Sequence, residues 1–210
     1  MHLFGLTGGI ASGKSTVAAR LRGRGLPIVD ADLLAREVVA PGTEGLRAVV
    51  DAFGQGVIGS DGGLDRAAVG RLVFADPAAR RALEGITHPR ITALGFERAA
   101  EHAKAGEPLV CYEAALIVEN GAADAFRPLV VVACPEDVQL ARLLGRGATR
   151  DEALARIRSQ RPLADKVAVA DHVIDTTGTL EQGAARADQV LKAICDHLGI
   201  DSGRYGLKPV

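Results

Sequence analysis

Apolar positions along the chain fall into two alternating kinds of cluster. Short, continuous apolar runs occupy residues 2–7, 27–30, 108–112, 128–134 and 172–175. Runs of that length without polar alternation suit strands buried on both faces. Between them the apolar residues recur three or four apart. Val17, Ala18 and Leu21 share one helical stripe, and Leu33, Leu34, Val38 and Val39 a second. Leu46, Val49, Val50 and Phe53 form a third, and Val69, Leu72 and Val73 a fourth. A last helix is expected over residues 180–198. Strands alternating with helices predict an α/β fold: a five-stranded parallel sheet flanked by helices on both faces. Gly25, just after Arg20, Arg22 and Arg24, suits the end of the first helix, where positive charge is also favoured. Residues 54–63 are glycine-rich and read as a loop, and His88-Pro89 reads as a helix interruption. The tail from Gly199 onward has no periodicity and is expected to be loosely held.

The helical pattern from residue 32 to 102 is too long for one crossover. It predicts an inserted helical subdomain, about 32–106, within a single-domain core of about 1–31 and 107–210. With 210 residues, 48% of them hydrophobic, the chain can bury a sizeable core. A net charge of −1 gives no general attraction to nucleic acid or to an anionic membrane. No apolar run reaches the length of a membrane span. Cys111, Cys134 and Cys195 have no C-x-x-C spacing, and the first two lie inside strand-like runs where a thiol packs as a small hydrophobe. Met1 leads directly into the first strand, leaving no room for a signal peptide. A cytoplasmic chain is expected, as a monomer or weak homo-oligomer.

The sharpest chemical signal is Gly8-Gly9-Ile10-Ala11-Ser12-Gly13-Lys14-Ser15, which fits the phosphate-loop pattern G-x-x-x-x-G-K-S/T without mismatch. Gly8 and Gly13 let the backbone curl and approach phosphate oxygens closely. Lys14 carries a positive charge for the β- and γ-phosphates, and the Ser15 hydroxyl can ligate Mg²⁺. The loop lies between a strand and a helix N-terminus, whose dipole favours anions. A nucleoside triphosphate, held with Mg²⁺, is the expected ligand. The second strand ends in Asp30-Ala31-Asp32, followed one helical turn later by Arg36. Ligands of parallel α/β sheets gather at the carboxyl ends of strands. One of the two carboxylates is expected to cap the next helix. The other, Asp32, could take the proton of an attacking hydroxyl while Arg36 anchors a substrate phosphate. Glu113 ends the third strand and suits either Mg²⁺, through water, or a salt bridge. Residues 142–166 hold seven cations against three carboxylates, a local charge of +4. Arginines on such a segment can close over a triphosphate as a lid. Around His88 there is no zinc-binding spacing, and no G-x-S-x-G elbow or Cys–His pair points to covalent catalysis.

Taken together, several stretches resemble the dephospho-coenzyme A kinase family. They are residues 5–16, Val29-Asp30-Ala31-Asp32 with Arg36, Phe53-Gly54, Leu64-Asp65-Arg66 and His88-Pro89-Arg90-Ile91. Further on come Gln139 with Arg142, Arg156-Ile157 with Gln160, and Ala170-Asp171-His172-Val173-Ile174-Asp175. The likeness spans residues 3 to about 195. It implies a phosphate-loop (P-loop) NTPase fold and ATP-dependent phosphorylation of the ribose 3′-hydroxyl of dephospho-CoA, the final step of CoA synthesis. It further implies that Ala11, Ser12, Gly13, Lys14, Ser15 and Thr16 hold the ATP phosphates. Asp32 would take the hydroxyl proton, and Arg142 would meet the transferring phosphate. Arg36, Arg66, His88 and Arg90, with Glu113 nearby, would receive the acceptor, and the loop Thr176 to Gly178 would approach adenine. The chain departs from the family in two places. Glu113-Ala114-Ala115-Leu116-Ile117-Val118-Glu119 stands where an Asp-x-Pro-Leu-Leu-Phe-Glu type segment is usual, and Thr176 stands where Asn is usual.

Rival readings lack their own signatures. A signalling GTPase needs N-K-x-D, but the one asparagine, Asn120, is followed by glycine. A nucleic-acid-stimulated ATPase would want basic charge and stacking aromatics, and aromatic residues are 3% of the chain. Another small-molecule kinase of this fold, acting on a nucleoside monophosphate or a sugar acid, differs only in the insertion motifs.

Overall fold

The computed structural model describes residues 1–207. Five strands, β1 (His2–Gly8), β2 (Ile28–Asp30), β3 (Leu109–Glu113), β4 (Leu129–Ala133) and β5 (His172–Asp175), form one parallel sheet in the order β2-β3-β1-β4-β5. The register pairs Leu6 with Glu113 on one side of β1 and with Val130 on the other. All five residues of β3 and of β4 are buried, so the uninterrupted apolar runs of the sequence are strands covered on both faces. β1 lies between strands that follow it in opposite directions across the sheet. Its carboxyl end is therefore the switch point at which ligands of this architecture bind.

Helix α1 (Lys14–Gly23) and the last helix, α9 (Leu180–Leu198), pack on one face of the sheet. Val17, Ala18 and Leu21 meet Ala187, Leu191, Ile194 and Cys195 there, over Phe4, Leu6, Val130, Val132 and Ile174. The described tail is not loosely held. Tyr205 and Leu207 belong to this same core, at the end of a 3-10 turn over Ser202–Tyr205 whose first residues are capped by Asp201. Periodicity cannot reveal such a segment, because two side chains anchor it rather than a repeating face. Residues 208–210 of that expected tail lie outside the described residues. Arg24 adds a hydrogen bond from Nη1 to the Gly206 carbonyl at 3.0 Å.

Chain contacts divide the molecule into two compact units, one built from Met1–Val29 and residues from His102 onward, the other from Asp30–Glu101. The second unit is helical: α2 (Ala31–Glu37), α3 (Glu44–Phe53), α4 (Arg66–Ala75) and most of α5 (Pro77–Lys104). Val38, Val39, Val49, Val57 and Val69 form its own small core, with Phe53, Ile86, Ile91 and Leu94 against them. The glycine-rich stretch 54–63 is more ordered than expected, holding a 3-10 turn at Gln55–Val57 and a bridge between Ile58 and Leu64. His88-Pro89 does not interrupt a helix. Pro89 lies inside the continuous α5, where its missing N–H leaves the carbonyl of Gly85 without an intrahelical partner. Both residues are exposed, so water can satisfy that carbonyl and the helix continues.

The first unit's remaining helices follow β4: α6 (Glu136–Leu144), α7 (Arg150–Arg158) and α8 (Leu163–Ala168). A two-arginine clasp fastens α1 to α9. Arg20 donates to Asp188 from Nε and Nη2 at 3.0 and 2.6 Å, and Arg24 donates to the same carboxylate from Nε at 3.1 Å and from Nη2. Burial alone would raise the Asp188 pKa, but these hydrogen bonds outweigh it and hold the group at about 2. A depressed carboxylate contributes stability above its unfolded pKa near 4, and that contribution is lost as the pH falls through the folded value. Asp188→Asn should therefore lower stability at neutral pH by on the order of 1–2 kcal/mol, after allowance for partial solvent screening. Thermal melts from pH 7 to pH 2 test this. The gap between wild type and variant should close between about pH 4 and pH 2, and a gap that persists at pH 2 would mean that the clasp is not electrostatic.

Candidate active site

The phosphate loop leaves β1 at Gly8 and enters α1 at Lys14. Gly13, at the N-cap, has φ 91°, a left-handed conformation that a side chain would strain. It brings no capping side chain, so α1 begins with its N-terminal donors uncapped, whereas Thr149 and Thr179 close capping boxes on α7 and α9. An uncapped helix start, with its positive dipole end, is a receptor for an anion. At Gly8 the fold sets a requirement of its own, beside the phosphate approach that the motif suggests. A Cβ there would lie 2.6 Å from the Val132 carbonyl oxygen and 2.7 Å from Ser12 Oγ, so the clash is with the protein itself. Residues Gly8 to Ser15 line a hollow of about 190 Å³, with Ala115, Arg146 and Gln160 at its sides.

The outer, carbonyl side of the loop is held from elsewhere in the fold. Arg142, on α6, donates from Nη1 to the Ala11 carbonyl at 3.1 Å and from Nη2 to the Thr176 carbonyl at 2.5 Å. The Thr176 hydroxyl, at the end of β5, is buried, donates to the Ser12 carbonyl and accepts from Arg142 Nη1 at 3.2 Å. These contacts bear on two expectations. Arg142 sits on a helix packed against the loop, with its guanidinium bracketing loop and sheet. Thr176 directs its hydroxyl at the loop backbone. Ala11 has φ 57°, unusual for a residue with a Cβ. The Cys134 thiol lies 3.6 Å from Arg142 Nη1, and burial raises its pKa despite that cation. It packs as the sequence suggested.

Lys14 Nζ is 2.7 Å from Glu113 Oε1, and both side chains are largely buried, at 15% and 6% exposure. Of the two roles open to Glu113, the structure contains the salt bridge. Beyond it, the Thr7 hydroxyl donates to the Ala115 carbonyl at 3.1 Å, and Lys166 Nζ donates to the same oxygen at 3.4 Å. Lys166 also pairs with Glu119 at 2.6 Å, with its side chain fully buried. It was grouped in the sequence with the lid cations, but it belongs to the interior: it fastens α8 to the segment that follows β3. Only its ion pairing makes such burial tolerable.

A second hollow, of about 370 Å³, opens beside the loop. Gly13, Thr16, Arg142 and Thr176 line it, with Gly178 from the loop before α9 and Leu180, Gly183 and Ala184 from the start of that helix. Ser15 is exposed in the first turn of α1. No group of three His, Cys, Asp or Glu side chains among the described residues is placed to hold a metal ion.

In the unit Asp30–Glu101, the Asp30–Asp32 pair is resolved. Asp30 Oδ1 accepts from the N–H groups of Asp32 and Leu33, at 2.8 and 3.2 Å, so Asp30 is the cap of α2. The Asp32 carboxylate is left exposed in the first turn, one turn before the exposed Arg36. Arg66 is the first residue of α4, after its cap Asp65, and is exposed. His88 is exposed on α5, and Arg90 donates from Nη1 to its own helix, to the Ile86 carbonyl at 2.7 Å. Among the described residues, no hydrogen bond or ion pair joins these five to one another. Sequence reasoning gave no role to Gln139 or Gln160, although both touch the loop. A glutamine 5% exposed on a helix is the signal that marks the first of them.

Comparison with known proteins agrees with this geometry. The family model for dephospho-CoA kinase matches residues 2–182. A protein of Anaeromyxobacter dehalogenans (strain 2CP-C), named dephospho-CoA kinase, is 48% identical over 192 residues, covering 91% of each chain. A crystal structure from Thermus thermophilus, 38% identical, superposes with a TM-score of 0.78 over 94% of this chain and 99% of its own. The dephospho-CoA kinase of Campylobacter jejuni, 26% identical, superposes with a TM-score of 0.70 over 92% and 97%. None of these matches favours a nucleoside monophosphate or sugar-acid kinase. A parallel sheet with the phosphate loop at its switch point, matched along most of its length, leads to one assignment: the chain belongs to the dephospho-CoA kinase family.

Proposed function

We propose that this chain transfers the γ-phosphoryl group of ATP to the ribose 3′-hydroxyl of dephospho-CoA. The observation that carries the reading is the intact, externally braced phosphate loop in a chain that matches this family over residues 2–182. The 3′ oxygen attacks the γ-phosphorus, the bond to the β,γ-bridging oxygen breaks and ADP leaves. The hydroxyl proton passes to Asp32, whose carboxylate is spared from capping by Asp30. Ala11 to Thr16, with Gly8, hold the triphosphate, and Lys14 exchanges its pairing with Glu113 for the phosphate oxygens. Arg142 steadies the loop and offers its remaining N–H groups to the transferring phosphate. Arg36, Arg66, His88 and Arg90 take the acceptor's phosphate and pantetheine portion, and the backbone of Thr176 to Gly178 faces the adenine of ATP.

Ser15 is the residue suited to Mg²⁺. An exposed hydroxyl in the first turn of α1 fits an ion that takes one or two protein oxygens and fills its shell with phosphate oxygens and water. Such an ion would neutralise charge on the β- and γ-phosphates. Residues 142–166 are proposed as the lid, in the sense that α7 and its arginines move over bound ATP. The same reading makes the protein cytoplasmic, a monomer or weak homo-oligomer, with no nucleic-acid or membrane partner. No helix among the described residues is long and apolar enough to cross a membrane.

A substrate panel with purified protein, ATP and Mg²⁺ tests the reaction. Dephospho-CoA should be phosphorylated at least about 10²-fold faster than nucleosides, shikimate or gluconate, as expected for a site that hydrogen-bonds its acceptor. Preference for any of the others would end this reading. Asp32→Asn should keep the melting temperature and ATP affinity while transfer falls by roughly 10²- to 10⁴-fold. A loss of only tenfold would make Asp32 a substrate-positioning group. For Arg142, replacement by lysine removes the planar fork that spans the Ala11 and Thr176 carbonyls. Arg142→Lys should lower Tm by roughly 4–10 °C as well as turnover, because carbonyls left unsatisfied in a partly buried site cost about 1–3 kcal/mol each. Arg158→Ala, at an exposed position, should leave Tm unchanged. Slower turnover with an unaltered Tm in Arg142→Lys would assign Arg142 to the phosphate alone.

A further inference from the structure

We propose that Gln139 and Gln160 are positioning residues for phosphate transfer: they grip the two polar backbone groups of Ile10 and so fix the curl of the phosphate loop. Gln139 Nε2 donates to the Ile10 carbonyl at 2.9 Å, and the Ile10 N–H donates to Gln160 Oε1 at 2.7 Å. The backbone partners fix both amide orientations, since a carbonyl needs a donor and an N–H needs an acceptor. The two side chains come from different elements, Gln139 from α6 and Gln160 from the residue after the C-cap of α7. The proposal rests on the reading of this loop as the ATP site.

The loop is shaped around this grip. A Cβ on Gly9 would lie 2.5 Å from Gln139 Nε2, so the second glycine of the loop makes room for the glutamine. Gln139 and Arg142 are three residues apart on α6, on one face, and they take the successive carbonyls of Ile10 and Ala11. The Thr176 hydroxyl takes the next one, on Ser12. A trans peptide is planar, with its C=O and the following N–H on opposite sides. Holding the Ile10 and Ser12 carbonyls outward therefore turns the N–H groups of Ala11 and Gly13 away from those donors. Both residues line the 190 Å³ hollow. The Ser12 N–H is already used within the loop, on the Gly9 carbonyl at 3.1 Å, so Ala11 and Gly13 matter more as donors to phosphate. Without Gln139, the peptide between Ile10 and Ala11 could rotate, and the left-handed Ala11 would relax toward an ordinary conformation. Gln160 makes the loop sensitive to where α7 ends, and so couples the arginine-bearing segment to the phosphate cradle.

Gln139→Met and Gln160→Met keep length and remove the polar ends. Steady-state kinetics with both substrates, and direct binding of a fluorescent ATP analogue without acceptor, read the effect. Each variant should raise KM for ATP and the analogue's Kd roughly tenfold, the size expected for one lost buried hydrogen bond. KM for dephospho-CoA should stay within twofold. Because both side chains hold one residue, the double variant should be hardly worse than the poorer single one. A role in folding alone would reduce the active fraction, lowering kcat with KM for ATP unchanged, and that result overturns the proposal. ATP affinity within twofold of wild type in both single variants overturns it too, as does full additivity in the double. Nucleotide binding is read without any acceptor, so failure here is distinguishable from an error in the acceptor's identity.

Discussion

A backbone that must offer its N–H groups to a ligand cannot also satisfy its own carbonyls, and this constraint organises the nucleotide-binding unit. In a regular helix or strand each peptide is paired on both sides by its neighbours. The curl from Gly9 to Gly13 gives that up, making one internal turn bond, from Ser12 N–H to the Gly9 carbonyl. The carbonyls of Ile10, Ala11 and Ser12 are then served by Gln139, Arg142 and Thr176. These three side chains come from α6 and the end of β5, on the side of the sheet reached through β4. The strand order puts β4 against β1, and β5 next to it. The topology and the loop's hydrogen-bond needs are thus one requirement. A β1 at the edge of the sheet would leave no following helix close enough to take those carbonyls.

The other neighbour of β1 answers the charge problem. Lys14 projects from the first turn of α1, and without a ligand its ammonium would be a largely buried, unpaired cation. Glu113, which lies opposite Leu6 in the β1–β3 register, supplies the counter-charge. The segment after it is in turn fixed by the buried Lys166–Glu119 pair and by two bonds to the Ala115 carbonyl. Removing one partner of a buried pair typically costs about 3–5 kcal/mol. That cost explains why charge occurs in the interior here as linked pairs. Lys14 and Glu113 thus balance each other's charge beside the loop.

How legible this was depended on whether a feature is local. The five strands were readable because β3 and β4 are buried on both faces and leave continuous apolar runs. The loop was readable because its chemistry sits within eight consecutive residues. In the Asp30–Asp32 pair a helix cap was readable, but either carboxylate could accept the first N–H groups of α2. Only the backbone geometry gives the cap to Asp30. The tail misled because two anchors, Tyr205 and Leu207, have no period. Pro89 misled because a proline on an exposed helix face can be carried without a break. Glycine at position 8 has a second reason that the motif does not show: a Cβ there would also meet the Val132 carbonyl, which no local reading brings beside it.

Arg142 shows the same limit with functional consequence. From composition it is one of seven cations in a basic run, and the natural inference is a lid that closes on phosphate. In the structure its guanidinium already spans the Ala11 and Thr176 carbonyls, and a cation so engaged cannot swing freely. Arginine can combine this bracing with ligand recognition because its five N–H donors lie in one rigid plane. Donors spent on the loop fix the direction of those left over. A lysine, with a point charge on a flexible stem, would have to choose. The run 142–166 therefore divides by location. Arg142 braces the loop from α6, Lys166 closes the interior beneath α8, and the arginines of α7 between them are exposed.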